Sequence, residues 1–295
     1  MSLLRIGRTV VHWARARRLA SLPSAPCWTR VPAGFQMKIH KDTWLDQSIM
    51  MGYYESDLVY LIRQIVTLGD GCIDVGANSG YISMHCARQC GAQGRVLSVE
   101  ASPQVYADLC DNIARNHFSQ VTALNFFAGN RHQDVDFFYD PLEPGHSSYV
   151  RLFGHRIGVV VPMAPLDELW DKANASAPVP LRFVKIDVEG AEPLVLQGFR
   201  KGLSESPLLW MEVNPPLLQK GGFSTRDLYK MLKQHRYEIY IPIWNRNGLG
   251  IPSLRLRPAH QQDIDSDSLY NIVTFVPGTI MGERIVKSPI QLIRE

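Results

Sequence analysis

The chain has 295 residues, of which 45% are hydrophobic and 20% charged, the balance of a folded globular protein. That balance excludes a disordered, collagen-like or small disulfide-stapled chain, and no run reaches the ~18 consecutive apolar residues of a membrane-spanning helix. The net charge of +3 is unevenly spread: residues 1–41 hold six Arg and two Lys with no acid, leaving a mildly acidic body.

The basic leader comes first. Residues 2–16 predict an amphipathic helix, with Leu3, Ile6, Val10, Trp13 and Ala14 on one face and Arg5, Arg8, His12 and Arg15 on the other. Such a helix could pack on the body of the protein or lie on an anionic membrane surface. In a eukaryotic chain it would also suit a mitochondrial transit peptide, being Arg-rich and free of acids. Arginines interrupt its apolar part, which argues against a secretory signal. The expected location is therefore the cytoplasm, peripheral to a membrane if the leader binds one, or the mitochondrion. Pro23, Pro26 and Pro32 then mark a linker. Nucleic acid is not an expected partner, because the body is acidic and the leader offers only Trp13 and Trp28 for stacking.

From residue 57 the pattern alternates. Residues 57–68 carry a helical apolar stripe, and residues 71–75 form a short apolar run that predicts a buried strand. A helix over 81–90, with Ile82, Cys86 and Cys90 inward, leads to a strand at 95–99. Ser102 and Pro103 open a helix that runs to about Asn116. Residues 121–127 predict a third strand, and 134–139 and 157–163 predict extended segments around a polar loop, 140–155. Strands at 181–187 and 207–213 enclose a helix at 191–200. A helix at 225–235 and strands at 237–243 and 271–276 complete the set. This alternation predicts an α/β fold with a doubly wound, mostly parallel sheet and helices on both faces. The five cysteines, at 27, 72, 86, 90 and 110, form no CxxC pair and read as reduced, mostly buried thiols.

In such sheets ligands bind beyond the carboxyl ends of the strands, so the residues at those tips are the candidates for chemistry. The first tip, Asp74-Val75-Gly76-Ala77-Asn78-Ser79-Gly80, is a glycine-rich turn between strand and helix. Gly76 and Gly80 permit close backbone approach to a ligand. The G-x-G-x-x-G fingerprint of dinucleotide folds is absent. Asp74 would repel a pyrophosphate and attract a sulfonium or ammonium group. The loop therefore favours S-adenosylmethionine over NAD, and an NAD-dependent oxidoreductase is disfavoured. Glu100, at the second tip, is placed to accept hydrogen bonds from the hydroxyls of an adenosine ribose. The fourth tip packs Lys185, Asp187, Glu189 and Glu192 into eight residues, with Lys185 and Asp187 on one side of the strand. The fifth carries Glu212 and Asn214. Asp187, Glu189, Glu212 and Asn214 could converge to orient a hydroxyl, supply a general base or bind a divalent cation. Asp187 or Glu192 could instead cap the following helix.

These segments together resemble the FkbM-type methyltransferase family of S-adenosylmethionine-dependent enzymes. The resemblance rests on IDVGANSGYIS (73–83), VLSVEASPQVYADLCDNIARN (96–116), PLDEL (165–169), FVKIDVEGAEPLVLQGF (183–199) and LLWMEVNP (208–215). It implies a class I methyltransferase, Rossmann-like fold with a seven-stranded mostly parallel sheet. Residues 46–280 would form the methyltransferase domain, 1–45 a basic extension and linker, and 281–295 a C-terminal tail. It also implies methyl transfer to oxygen, on the hydroxyl of a sugar, glycolipid or natural product. Carried over by position, Asp74, Gly76, Asn78 and Gly80 form the cofactor loop, Glu100 is the ribose acid, and Asp187 lies near the methionine end of the cofactor.

The expected reaction is attack of an acceptor hydroxyl on the sulfonium methyl, which calls for alignment and removal of the hydroxyl proton. Candidates for proton removal and acceptor orientation are Asp187, Glu189, Glu212 and His146. His155 is a second histidine in the same polar loop, where Ser147, Ser148 and Tyr149 could hydrogen-bond the acceptor. Two alternatives stand beside this reading. One is a metal-assisted O-methyltransferase of catechol type, with Asp187 and Glu212 holding a divalent cation. The other is a non-catalytic cofactor-binding protein.

Overall fold

The structure is a computed structural model and describes residues 3–139, 149, 157–246 and 252–293. The chain begins with α1 (Leu3–Ala20), a two-stranded ribbon of β1 (Cys27–Arg30) and β2 (Gln36–Ile39), and helices α2 (Trp44–Met51) and α3 (Ser56–Ile65). The alternating part follows with β3 (Gly71–Val75), α4 (Tyr81–Cys90), β4 (Arg95–Val99), α5 (Pro103–Arg115) and β5 (Val121–Leu124). Next come β6 (Phe127–Gly129), β7 (Gln133–Tyr139), β8 (Ile157–Pro165), α6 (Leu166–Asn174), β9 (Leu181–Ile186), α7 (Glu192–Gln197), α8 (Arg200–Ser204) and β10 (Leu208–Val213). The chain continues through α9 (Pro215–Lys220), α10 (Thr225–Gln234), β11 (Glu238–Arg246), β12 (Pro252–Pro258), α11 (Gln261–Ile264), β13 (Tyr270–Phe275), α12 (Ile280–Lys287) and β14 (Gln291–Leu292).

The main sheet has the order β14-β12-β11-β13-β10-β9-β3-β4-β5. Strands β5, β4, β3, β9 and β10 run parallel, and β13 is inserted antiparallel between β10 and β11. The central strands are buried on both faces, all five residues of β3 included, which is why they read as unbroken apolar runs. Alternation sends Cys72, Phe183 and Trp210 into one core and Ile73, Val184 and Met211 into the other. Strands β7 and β8 pair antiparallel and join β6 in a separate three-stranded sheet beside the main one.

The structure departs from the sequence-based expectations in three places. The sheet has nine strands rather than seven, because β12 forms a hairpin with β11 and β14 adds in parallel to β12. Residues 27–39, expected to be linker, form the β1–β2 ribbon, and Val31, Phe35, Met37 and Ile39 are buried in the main core. Helix α1 forms as expected, but Val10 and Trp13 of its predicted apolar face are each 58% exposed. Its attachment is made instead by half-buried Arg15, which donates to the Met51 carbonyl at 2.7 Å, and by Leu19 against the core. Cys72, Cys86 and Cys90 are buried free thiols, as expected.

Candidate active site

The strand order reverses direction between β3 and β9, where a crevice opens beyond the carboxyl ends. Gly76, at φ +72°, turns the chain away from β3 so tightly that a Cβ there would lie 1.9 Å from the Asp187 carbonyl oxygen. Only glycine allows the first and fourth tips to touch in this way. Lys185 ties the same tips together. Its Nζ donates to the Gly76 carbonyl at 2.7 Å and lies 3.1 Å from Asp187 Oδ2 and 3.5 Å from Asp74 Oδ1. Burial works against its charge, but Asp187 and Asp74 outweigh burial and hold the ammonium above the usual lysine range.

Beside these tips lies a cavity of about 300 Å³. Gly76, Asn78, Glu100 and Phe127 form part of one wall, and Asp187, Glu189 and Glu212 part of another. Thr43, Trp44, Tyr54 and Glu55 close it from the N-terminal side. Glu100 is locked in place: Oε2 accepts the Asn78 N–H and Oε1 the Ser102 N–H, both at 2.8 Å. Burial raises its pKa, and the two backbone donors work against that rise. Three non-glycine residues of the wall, Glu55, Asn78 and Glu189, adopt positive φ, at 45°, 49° and 51°. Backbone of this kind is held by surrounding structure and concentrates at functional sites.

Oxygens of Asp187, Glu189 and Glu212 lie within 4.8 Å of one another. Burial and then the Asp187 charge push Glu189 up to about 8 and Glu212 up to about 9. Glu55 is pushed up to about 7 by burial, then by Asp57 and Asp187. In this state the cavity retains protons at neutral pH, and a cation entering it would release them. Asn214 Nδ2 donates to Glu189 Oε2 at 3.3 Å, the convergence expected of the fourth and fifth tips.

Two residues of the expected cofactor loop lie off the wall. Asp74 is fully buried on the opposite side of its tip, where it accepts from Ser83 Oγ at 2.6 Å and faces Lys185. Gly80 packs under Leu109 at the start of α4. Glu192 Oε1 accepts the Gly190 and Val188 N–H groups, so that carboxylate organises the loop before α7. His146, His155, Ser147 and Ser148 fall outside the described residues. Tyr149 lies within them, its ring 5.5 Å from that of Phe127. Sequence reasoning missed Tyr54 and Glu55. Neither sits at a strand tip, and both reach the site because α3 packs beneath α4 and brings its N-terminus over the crevice.

Five parallel strands wound outward from β3, an antiparallel strand inserted between β10 and β11, a glycine turn after β3 and an acid after β4 define a class I S-adenosylmethionine-dependent methyltransferase. The family described as the methyltransferase FkbM domain matches residues 74–239, more than half of the chain, and the chain belongs to that family. The hexuronic acid methyltransferase AglP of Haloferax volcanii is 24% identical over 193 residues, covering 65% of this chain and 74% of the relative. Among solved structures, an O-methyltransferase from Bacillus cereus in complex with SAH matches at a TM-score of 0.43 and 14% identity, covering 92% of this chain and 90% of that one. A SAM-dependent O-methyltransferase from Thermotoga maritima matches at 0.40 and 15%, covering 86% and 79%.

Proposed function

We propose that the protein transfers a methyl group from S-adenosylmethionine to a hydroxyl oxygen of a sugar or sugar-containing acceptor. The observation that carries this reading is the acid cluster of Asp187, Glu189 and Glu212 in one cavity with Gly76 and Glu100. The cavity fits a cationic cofactor: its described lining holds five carboxylates and no lysine or arginine. When bound, the cofactor supplies an electrophilic methyl group. In this reading Glu100, fixed by two backbone donors, presents its remaining lone pairs to the ribose hydroxyls. Gly76 and Asn78 let the backbone come close to the cofactor. Asp187, held by Lys185, faces the cation. Glu189 and Glu212, ionised once the cationic cofactor displaces their protons, orient the acceptor hydroxyl, and one of them takes its proton. The acceptor class is supported by the Haloferax relative, a hexuronic acid methyltransferase.

A second reading uses the same oxygens. Asp187, Glu189 and Glu212 could hold a divalent cation that lowers the pKa of the acceptor hydroxyl. Transfer of labelled methyl from S-adenosylmethionine to a panel of glycans, with and without a chelator, tests both. The proposal expects label on a sugar oxygen whether or not chelator is present. Transfer that chelator abolishes and added metal restores would select the second reading, and label on no glycan would contradict the acceptor class. We also infer that α1, with Val10 and Trp13 exposed on an Arg-rich helix, can contact an anionic membrane surface. No described helix is long and apolar enough to cross a membrane.

A further inference from the structure

A second cleft, of about 260 Å³, lies against Tyr54, which also walls the acidic cavity. Arg15 of α1, Ser56, Tyr60 and Arg63 of α3, Tyr81 of α4 and Trp244 of β11 line it. Its charge is the reverse of the cavity's. The described lining holds two guanidinium groups and no carboxylate, against five carboxylates and no base next door.

The two arginines differ in how they are held. Arg15 is fixed by its bond to the Met51 carbonyl and rests on Gly52, where a Cβ would come within 2.5 Å of Nη1. Arg63 has no hydrogen bond or ion pair among the described residues, so its donors are open to a ligand. The positive field reaches neighbouring groups: burial, followed by the charges of Arg63 and Arg88, lowers His85 to about 3. Tyr60 and Trp244 stand 5.4 Å apart, centroid to centroid, and offer aromatic surface for the apolar C–H face of a sugar ring. A planar guanidinium matches a carboxylate with two parallel hydrogen bonds.

Tyr54 is the partition. Its ring packs edge-on against Tyr81 on the cleft side. Its hydroxyl is raised well above the usual tyrosine range by burial and then by Glu55 and Asp187 of the cavity, by buried Asp74, and by Glu212 of the cavity. A molecule with an anionic end in the cleft and a hydroxyl over the acids would span this single side chain.

We propose that the cleft is the anion subsite of the acceptor, in which Arg63 and Arg15 hold the carboxylate of an acidic sugar whose hydroxyl is methylated in the adjoining cavity. This rests on the O-methyltransferase reading above and adds the acceptor's charge to it. The test is calorimetric titration of the full-length protein, saturated with S-adenosylhomocysteine, with a glucuronic-acid-terminated disaccharide, its glucose-terminated counterpart and a phosphorylated glucose disaccharide. The acidic sugar should bind about ten-fold or more tightly than the neutral one, the worth of a charged hydrogen-bonded pair. Arg63→Gln should remove that advantage and leave neutral-sugar and cofactor affinity unchanged, and Arg63→Lys should restore part of it. Arg63 is exposed on α3, so these variants should keep the melting temperature of the parent. Absence of binding by the acidic sugar, equal affinity for the neutral one, or unchanged affinity in Arg63→Gln would overturn the proposal. So would tighter binding of the phosphorylated sugar. Labelled methyl transfer, read in parallel, separates the two claims. Arg63-dependent binding without transfer would remove the O-methyl reading and keep the subsite. Equal transfer to acidic and neutral glycans, unchanged for both in Arg63→Gln, would do the reverse.

Discussion

Lys185 shows how single residues hold this site together. Its side chain is 7% exposed, and its ammonium faces two carboxylates, Asp74 and Asp187. Removing one partner of a buried ionic group leaves the others uncompensated, at about 3–5 kcal/mol. Lys185→Met should therefore lose about that much stability in urea unfolding, and Lys185→Met with Asp74→Asn should recover part of the loss. Glu189 and Glu212 set the pH dependence. Both are raised above their usual 4.5, to about 8 and about 9, so the folded chain binds more protons than the unfolded chain between these limits. Their contribution to stability is present below about pH 4.5 and is lost as pH rises through 8 to 9. The cofactor-free protein should accordingly lose stability to alkali over this window, and Glu212→Gln should flatten the loss, as read from melting temperatures between pH 6 and 9. S-adenosylmethionine carries the positive sulfonium that S-adenosylhomocysteine lacks, so its affinity should rise relative to that of S-adenosylhomocysteine across the same range. Parallel pH profiles for the two ligands would contradict a cation site among these acids.

At the scale of elements, the turn after β3 carries the strictest demand. Gly76→Ala would force a Cβ into the Asp187 carbonyl at a positive φ, separating β3 from β9 at the tips. A loss of about 1–3 kcal/mol, together with weakened cofactor binding, is expected in unfolding and titration. The parallel strands were legible in the sequence because two-sided burial leaves unbroken apolar runs such as GCIDV and RVLSV. The tip acids were legible because the strands place them: Glu100, Asp187, Glu189 and Glu212 all reach one cavity. Asp74 was legible as a tip acid but not in its direction. Alternation along β3 turns it to the side of α4, where Ser83 and Lys185 satisfy it. Strand β12 went unpredicted although it has the period of a strand, with Leu254 and Leu256 buried between Ser253, Arg255 and Arg257; Pro252 and Pro258 bound it, and proline is disfavoured inside strands. Glu55 and Tyr54 were invisible for another reason. Their place in the site comes from the packing of α3, a tertiary fact that local spacing does not encode.

Across the whole molecule, the split in charge along the sequence does not coincide with a division in packing. The basic leader does not end where the fold begins. Residues 27–39 bury Val31, Phe35, Met37 and Ile39, and Asn112 of α5 and Asn116 just after it accept from the Lys38 and Gln36 N–H groups at 2.9 Å. Removing residues 1–41 should therefore unfold or aggregate the chain. Removing 1–13 should preserve cofactor affinity and abolish sedimentation with anionic phospholipid vesicles, which the full chain should show. Vesicle binding unchanged by that truncation would remove α1 as the contact. The acidic cavity and the basic cleft then divide the remaining work across Tyr54, a cation on one side and an anion on the other. The most direct measurement of the central claim is transfer of labelled methyl from S-adenosylmethionine to uronic-acid glycans by the parent protein and by Asp187→Asn and Glu212→Gln. The account predicts label on a sugar oxygen with the parent and a fall of about 100-fold or more in each variant, with S-adenosylhomocysteine affinity kept within a few-fold. Parent-like transfer by both variants would contradict it.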